Sequence, residues 1–487
     1  MINRIPSSGD MASYTYLPYG YQLQYPKQMK TDDSMAAIRT RFYDDHTLID
    51  VYYDDFNHTV TDAAAYIGYG NRFAKNGSDH RVTEDKNMKV AGSKVHVLKW
   101  ERDKLERVKN DKPYYASAEI VKNDREVYTI QIKSDRPIHN EMDIVHSFRM
   151  FPPQGSANVG KVTTRKPLRS NEETAVLYNR LFLSDGLKWG IYEPDAAKSK
   201  MNRLLELEHK LDYAFGLLIR YQSLDTGFPA EDLNQIYDNG RFAVLTLQTM
   251  HYNKDNSSIM YDILKGKYDD YLTKYAQDIK AFGHPLLFRL DNEMNGDWVP
   301  YSSYHNSKDT EIYTEMWTYI HDIFSRNEVD NVLWVWNPNN LSKPGFAWNH
   351  TLLYYPGDDY VDVVGLTAYN TGTFYEGEEW STFHDLYAPL YAQYDEWFDQ
   401  PMMIAEFGSS SIGGDKVEWV NGMFGELDQY PKIKAAVWWS HMDFDPNNRP
   451  ARIYTLDESP ELVETFQKHL QSYKPYASAM RRYISES

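Results

Sequence analysis

The sequence contains no cysteine among its 487 residues. Disulfide bridges, thiolate zinc sites and cysteine nucleophiles are therefore excluded. No apolar run approaches the roughly 20 residues that a membrane-spanning helix needs. Residues 1–10 lack the basic-then-apolar pattern of a signal peptide. We therefore expect no membrane span, and either a cytosolic chain or one from which an export segment has been removed.

Positive charge is scarce as well, since the formal net charge is −18. Residues 1–170 contain 26 Lys or Arg and 22 Asp or Glu, whereas residues 171–487 contain 26 and 48. An acidic main part repels nucleic acids and other polyanions, which favours a neutral or cationic substrate. The sequence also lacks a His-Glu-x-x-His zinc motif and a Gly-x-Ser-x-Gly elbow, so we predict no metal and no cofactor.

What the sequence does have is length, and it predicts more than one domain. Residues 1–150 are rich in short β-prone runs, two of which flank a hairpin connection at residues 122–125. A helix is expected at Thr61–Ala74, opened by Thr61 or Asp62. We predict an α+β accessory domain with an antiparallel sheet over residues 1–150, with a structural or carbohydrate-binding role. Residues 151–172, which begin Phe-Pro-Pro-Gln-Gly, are predicted to be a linker.

After the linker, strand patterns alternate with helical ones. The expected strands are Trp189–Glu193, Ala214–Tyr221, Phe242–Thr249, Leu286–Glu293, Val332–Asn337, Val361–Tyr369, Met402–Phe407 and Ala436–Ser440. Helical patterns between them include Phe383–Phe398 and Val417–Leu427, and Glu461–Tyr473 closes the series. Eight such units in about 300 residues predict a (β/α)8 TIM barrel, an α/β fold, over residues 173–487.

Two of the expected strands end in a glutamate. The fourth runs into Arg289-Leu-Asp-Asn-Glu-Met-Asn-Gly-Asp-Trp298, and the seventh ends at Glu406 just before a glycine. Strict alternation predicts Arg289, Asp291 and Glu293 on one face and Asn292 on the other. Since active sites of barrels lie at the carboxyl ends of the strands, Glu293 and Glu406 are predicted to form the carboxylate pair of a glycosidase. The alternative is that both belong to structural ion pairs, such as one between Glu293 and Arg289.

The motifs around these glutamates resemble glycoside hydrolase family 26. The resemblance rests on Gly266–Ala276, Leu287–Trp298, Tyr354–Gly365 with Tyr369, and Ile404–Ser409, and it extends over roughly residues 186–470. That family belongs to a large clan of retaining glycosidases with catalytic glutamates on barrel strands four and seven. The resemblance therefore implies a retaining hydrolase of β-linked polysaccharide, in a mannanase-like barrel.

The resemblance also implies a role for individual residues. Glu293 would be the general acid/base and Glu406 the nucleophile, held by a hydrogen bond from Tyr369. Sugar-stacking walls would come from Trp298 and from Trp439 or its neighbour Trp438; since the two neighbours alternate faces, one of them is expected to pack. Arg289 would orient carboxylates beneath the site.

One position departs from the family pattern. Family 26 members usually carry histidine immediately before the acid/base, where this sequence has Asn292. Asparagine in the wider clan binds the 2-substituent of the sugar, so a 2-acetamido sugar or another hexose, as in a bacterial exopolysaccharide, joins mannan as an expected substrate. A non-catalytic polysaccharide-binding scaffold and a transglycosylase remain as alternatives. A polymeric substrate also favours an extracellular or cell-surface location, and the oligomeric state stays open.

Overall fold

The computed structural model describes residues 3–4, 10–139, 141–162, 170–196 and 201–473. Parts of the predicted linker (163–169) and the ends of the two predicted domains (1–2, 5–9 and 474–487) therefore lie outside the described residues. Within these residues, no helix is both long and apolar enough to cross a membrane. Residues 151–162 contain no helix or strand and are mostly exposed.

The N-terminal part is built on an antiparallel sheet of seven strands in the order β4-β5-β6-β10-β9-β8-β7. The N-terminal strands are β1 (Asn3–Arg4), β2 (Met11–Tyr16), β3 (Tyr21–Pro26), β4 (Lys30–Asp32), β5 (Thr40–Tyr43), β6 (Thr47–Asp55), β7 (Arg81–Val90), β8 (Ser93–Glu101), β9 (Tyr114–Asn123), β10 (Glu126–Ser134), β11 (Ile138–His139) and β12 (Arg149–Met150). Its helices are α1 (Ala63–Gly70) and α2 (Glu141–Ser147). The expected helix at Thr61–Ala74 is shorter than predicted: Asp62 caps α1, and a 3-10 turn at Arg72–Lys75 follows it.

The two faces of this sheet differ in character. One face is apolar, with Ile130, Ile132 and Ala118 packed beneath a small sheet of β12, β3 and β2. The other face carries polar and charged side chains such as Gln131, Lys133 and Glu119, which are buried because the barrel covers them.

The C-terminal part is a closed barrel of eight parallel strands, as the sequence predicted. They are β13 (Lys188–Tyr192), β14 (Leu217–Ser223), β15 (Phe242–Gln248), β16 (Leu286–Leu290), β17 (Val332–Trp336), β18 (Val363–Asn370), β19 (Met402–Ser409) and β20 (Ile433–Trp439), and a hairpin of β21 (Met442–Phe444) and β22 (Pro450–Ile453) follows. The interior is filled by alternate strand residues such as Val244, Leu287, Leu333 and Val437. The fold class is therefore confirmed.

Helices surround this barrel and pack against its strands. They are α3 (Glu172–Tyr178), α4 (Asn202–Leu211), α5 (Ala230–Asp238), α6 (Ile259–Leu264), α7 (Asp269–Phe282), α8 (Thr310–Arg326), α9 (Phe383–Trp397), α10 (Lys416–Glu426) and α11 (Pro460–Leu470). The crossover between β17 and β18 is an exception to the expected alternation, because residues 337–362 form three 3-10 turns and no α-helix. Pro338, Pro344 and the Pro356-Gly357 pair interrupt helical hydrogen bonding there.

Candidate active site

The strand that leads to Glu293 ends three residues earlier than predicted, at Leu290. Asp291 and Glu293 then adopt left-handed φ angles of 48° and 58°, so the expected alternation of faces is wrong from Asp291 onward. Asp291 turns aside and accepts hydrogen bonds from the backbone N–H and the hydroxyl of Thr249, at 2.6 and 2.7 Å. Asn292, predicted on the opposite face, instead lies beside Glu406.

Glu406 is buried, with only 5% of its surface exposed. Along β19, Met403 and Ala405 face the barrel interior, and alternation alone turns the next residue outward. The pairing with β18 skips one residue here, since Leu366 pairs with Ile404 and Thr367 with Glu406. This bulge re-aims the Glu406 carboxylate into the mouth of the barrel, as bulges beside active sites commonly do.

Four donors surround the Glu406 carboxylate. Arg289 Nη1 lies 2.5 Å from Oε1, and the Tyr221 hydroxyl donates to the same oxygen over 2.6 Å. Tyr369 donates to Oε2 over 3.0 Å, and Asn292 Nδ2 lies 3.3 Å from Oε1. A cation and hydrogen bonds to the charged form both favour an ionised carboxylate. The ion pair considered for Glu293 and Arg289 is therefore formed by Glu406 instead.

Arg289 is fully buried beneath the site and holds a fixed position. Its Nε donates to Thr246 Oγ1 over 2.8 Å, and its Nη1 donates to Asn337 Oδ1 over 3.0 Å. Burial alone would lower the pKa of this guanidinium, but the charge of Glu406 raises it above its ordinary value. Strand β15 and the residue that follows β17 thus fix the cation that faces Glu406.

The Glu293 carboxyl has different surroundings. Asn339 Nδ2 donates to Glu293 Oε1 over 2.5 Å, and the nearby Trp298 side chain also favours the charged form of this carboxyl. Burial, and after it the negative charge of Glu406, raise the pKa of Glu293 to about 7. At neutral pH this carboxyl therefore holds its proton for a large part of the time.

Two aromatic rings lie near the carboxyl pair, Trp298 beside Glu293 and Trp439 beside Tyr369. Trp298 is 49% exposed, and its ring lies so close to Gly296 that a side chain there would reach within 2.4 Å of it. Trp439 is half-buried and stacks on Tyr192, with ring centroids 5.3 Å apart and an angle of 19°. Exposed flat rings of this kind are suited to stack on sugar rings.

Trp438, the other tryptophan predicted as a sugar wall, lies in the core. Its surface is 0% exposed, and its indole N–H donates to the backbone oxygen of Tyr454 over 2.7 Å. The ring packs against Phe407 and Phe466 on the outer side of the barrel. Because neighbouring strand residues point to opposite faces, only Trp439 faces the mouth of the barrel, and Trp438 is corrected to a packing residue.

Sequence reasoning missed Tyr221, Asn339 and Gln248. Tyr221 ends the second predicted strand, and that position is the signal by which it could have been found. Gln248 Nε2 donates to Asn292 Oδ1 over 3.2 Å, which directs the Asn292 amide nitrogen toward Glu406. Asn339 gives no such signal because it lies in the irregular crossover after β17, and its contact with Glu293 depends on how residues 337–345 turn back over the barrel.

The arrangement combines an acid and an anion in one cleft. A carboxyl that titrates near neutral pH can give and take a proton, while an ionised carboxylate beside it can attack a carbon or stabilise a positive charge. Flat aromatic rings near the two carboxyls fit a ring-shaped, mostly neutral substrate.

Parts of this chain are similar to known polysaccharide-cleaving enzymes. The model of glycosyl hydrolase family 26 matches residues 223–392, a range that contains Glu293 and ends before Glu406. Endoglucanase H of Acetivibrio thermocellus is 31% identical over 291 residues, which cover 58% of this chain and 30% of that protein. A mannan endo-1,4-beta-mannosidase of Bacillus subtilis is 27% identical over 277 residues, which cover 54% of this chain and 69% of that protein.

Solved structures match at lower identity. An endo-beta-1,4-mannanase double mutant of Cellulomonas fimi aligns with a TM-score of 0.48 and 15% identity, over 65% of this chain and 78% of that one. This chain spans less than a third of Endoglucanase H, so the match concerns one part of that larger protein. The family match and the curated relatives confirm the resemblance: the barrel is family 26-like and mannanase-like.

Proposed function

Starting from a barrel that is similar to glycosyl hydrolase family 26, we propose that this chain is a retaining glycoside hydrolase that cleaves β-linked bonds in a polysaccharide. The observation that carries the proposal is the contrast between two neighbouring carboxyl groups. Glu406 is stabilised as an anion by Arg289 and Tyr221, whereas burial and negative charge raise the pKa of Glu293 to about 7. Retaining glycosidases need such a pair, one to attack and one to donate a proton.

In the first step, Glu406 attacks the anomeric carbon while the bond from that carbon to the leaving oxygen breaks. Glu293 gives its proton to this oxygen, so the leaving sugar departs as a neutral alcohol. Tyr369 and Tyr221 hold the attacking carboxylate in line, because each donates to a different oxygen of Glu406. The first half of the reaction ends with a covalent glycosyl ester on Glu406.

In the second step, a water molecule attacks the same carbon and gives a proton to Glu293. The ester bond breaks, and the Glu406 carboxylate is released with its negative charge. Burial and, after it, the charge of Glu406 raise the pKa of Glu293. Esterification of Glu406 removes that charge and lowers the pKa, so Glu293 is more often ionised and can accept a proton from the attacking water. The two inversions together retain the anomeric configuration.

For the substrate, a β-mannan-type polysaccharide is our first candidate, because curated relatives such as the Bacillus subtilis protein are named as mannan endo-1,4-beta-mannosidases. A β-glucan is the second, because Endoglucanase H, at 31% identity, is named for glucan cleavage. An amino-sugar exopolysaccharide is the third, because Asn292 stands where histidine is usual in the family and its amide is directed at Glu406 by Gln248. A polymeric substrate implies an extracellular or cell-surface location.

Release of reducing ends from β-mannan, β-glucan and an amino-sugar exopolysaccharide tests the proposal, with the Glu406→Ala variant as the blank. We expect release from one of the three, with a first-formed β-anomer observed by NMR. An inverted anomer contradicts retention. Oligosaccharide binding without release supports a scaffold instead, and longer products on addition of acceptor sugar support a transglycosylase.

A further inference from the structure

The loop between β16 and α8, residues 291–309, connects the candidate site to the N-terminal sheet, and we call it the acid/base loop. It begins with Asp291, which Asn292 and Glu293 follow, and it carries Trp298 in its first half. Its end lies against β8, β9 and β10, where Ser307 and Lys308 adopt left-handed φ angles of 62° and 53°. Strained backbone of this kind persists only where the surroundings hold it firmly.

Lys308 is the main anchor at the far end of the acid/base loop. Its side chain is 2% exposed, and Nζ lies 2.7 Å from Glu119 Oε1 and 2.8 Å from Asn71 Oδ1. His96 Nδ1 lies 2.8 Å from the other oxygen of Glu119. Burial would raise the pKa of Glu119, but Lys308 and His96 together lower it to about 2. Lys308 of the barrel thus forms a buried ion pair with Glu119 of the sheet.

The residues on either side of Lys308 are fixed by the same sheet. Trp100 Nε1 donates to Ser307 Oγ over 3.1 Å, and Gln131 donates to the Ser307 backbone oxygen over 3.2 Å. Asp309, which caps α8, lies 2.6 Å from Lys133 Nζ. Three consecutive loop residues are therefore held by side chains from three strands of the N-terminal part.

The N-terminal part (residues 1–150), which we call the N-terminal sheet domain, also contacts the acid/base loop close to the candidate site. The Tyr69 hydroxyl donates to Asp297, the residue before Trp298, and the Tyr69 ring stacks on Tyr304 with centroids 4.8 Å apart. Within the loop, the Tyr301 hydroxyl donates to the backbone oxygen of Asn292 over 2.8 Å. Contacts from the sheet domain thus reach the loop within one residue of Trp298.

We propose that the N-terminal sheet domain is a positioning unit for catalysis, which holds the acid/base loop so that Glu293 and Trp298 face the leaving-group side of the cleft. Lys308 and Tyr69 are its positioning residues. A buried ion pair contributes little net stability but penalises every arrangement in which its charges separate, which suits it to fixing one geometry. This inference rests on the proposed role of Glu293 as the acid/base.

Two disrupting changes and a control test the inference on the full chain. Lys308→Met with Glu119→Gln replaces the buried pair by neutral side chains of similar size. Tyr69→Phe removes only the bond to Asp297 and keeps the ring, so it remains informative if the double variant does not fold. Lys280→Met, which breaks an exposed pair with Glu328 on the barrel, is the matched control.

The first measurement is kcat/KM on the polysaccharide that wild type cleaves and on the 2,4-dinitrophenyl glycoside of the same sugar. The aryl leaving group needs no proton, so misplacing Glu293 slows only the polysaccharide reaction. We expect the double variant to lose about tenfold or more on the polysaccharide and less than about twofold on the aryl glycoside. An equal loss of kcat/KM on both substrates overturns the inference. The inference is also overturned if kcat/KM on the polysaccharide is unchanged both in a folded double variant and in Tyr69→Phe.

Hydrogen exchange separates this inference from the proposed function. Backbone amides of residues 291–299 are expected to exchange faster in the double variant and in Tyr69→Phe, and unchanged in Lys280→Met. Unchanged exchange in both disrupted variants overturns the anchoring itself. If the disrupted variants exchange faster but the wild-type protein cleaves none of the polysaccharides, the anchoring of the loop is retained and the proposed hydrolase function is rejected.

Discussion

Glu293 and Glu406 are the same residue type in one cleft, yet their surroundings oppose each other. Glu406 faces one guanidinium and two phenol hydroxyls at 2.5–3.0 Å, all of which favour its charge. Glu293 faces one amide, one indole and the negative charge of its neighbour, which leaves burial as the largest influence on its pKa. Glu406 therefore lies among groups that favour a negative charge, whereas burial and that charge keep a proton on Glu293 up to a higher pH than usual.

The largest effect is expected from Glu406→Ala. The change removes the group that bonds to the anomeric carbon, so turnover should fall by more than about 10⁴-fold, as loss of a covalent nucleophile does in other hydrolases. Reducing-end release measures it, and thermal unfolding checks that the barrel remains folded. Glu328→Ala on an exposed surface serves as the control. Near-wild-type release would remove Glu406 from the mechanism.

Glu293→Ala is expected to cost about 10²–10⁴-fold on polysaccharide, the usual contribution of a general acid. The loss in kcat/KM should nearly vanish on a 2,4-dinitrophenyl glycoside, whose leaving group needs no proton. Added azide should raise kcat of the variant on that substrate, since azide attacks the glycosyl ester without a general base. An equal loss on both substrates would contradict an acid role for Glu293.

The pH dependence of kcat/KM should report the raised pKa of Glu293. A general acid works only while protonated, so activity should fall above a pKa of about 7, by roughly 100-fold two pH units higher. The same alkaline limb should be absent with the aryl glycoside. A polysaccharide profile that stays flat up to pH 9 would show that Glu293 is not the proton donor.

The smallest effect is expected from Tyr221→Phe, which removes one of the hydroxyls that hold Glu406. One hydrogen bond to a charged group is worth about 1.5 kcal/mol, so kcat/KM should fall about tenfold. Tyr237→Phe is the matched control, because its hydroxyl donates to Glu173, which lies outside the candidate site. Equal kinetics in the two variants would reduce Tyr221 to a packing role.

Much of the barrel was predictable because its signal is local. Each predicted barrel strand overlaps an observed one, since runs such as Leu286–Leu290 are buried on both faces and a turn follows them. The 3-10 turns of the crossover before β18 were not predictable from the sequence. Its Pro and Gly residues indicate that a helix is interrupted, but they do not indicate which structure replaces it. The sequence also did not determine which of Trp438 and Trp439 packs in the core, since the register of a strand decides which of two neighbouring residues faces the mouth of the barrel.

The sequence by itself determined the number of barrel strands, the two strands that lead to Glu293 and Glu406, and the likeness to family 26, because each depends on short runs of neighbouring residues. Only the tertiary structure decided which groups face those carboxyls. Tyr221, Arg289 and Asn339 lie 185, 117 and 67 positions before Glu406 in the chain, and folding brings them into one cleft. Protonation depends on charges and hydrogen bonds within a few ångströms, and closure of the barrel sets those distances.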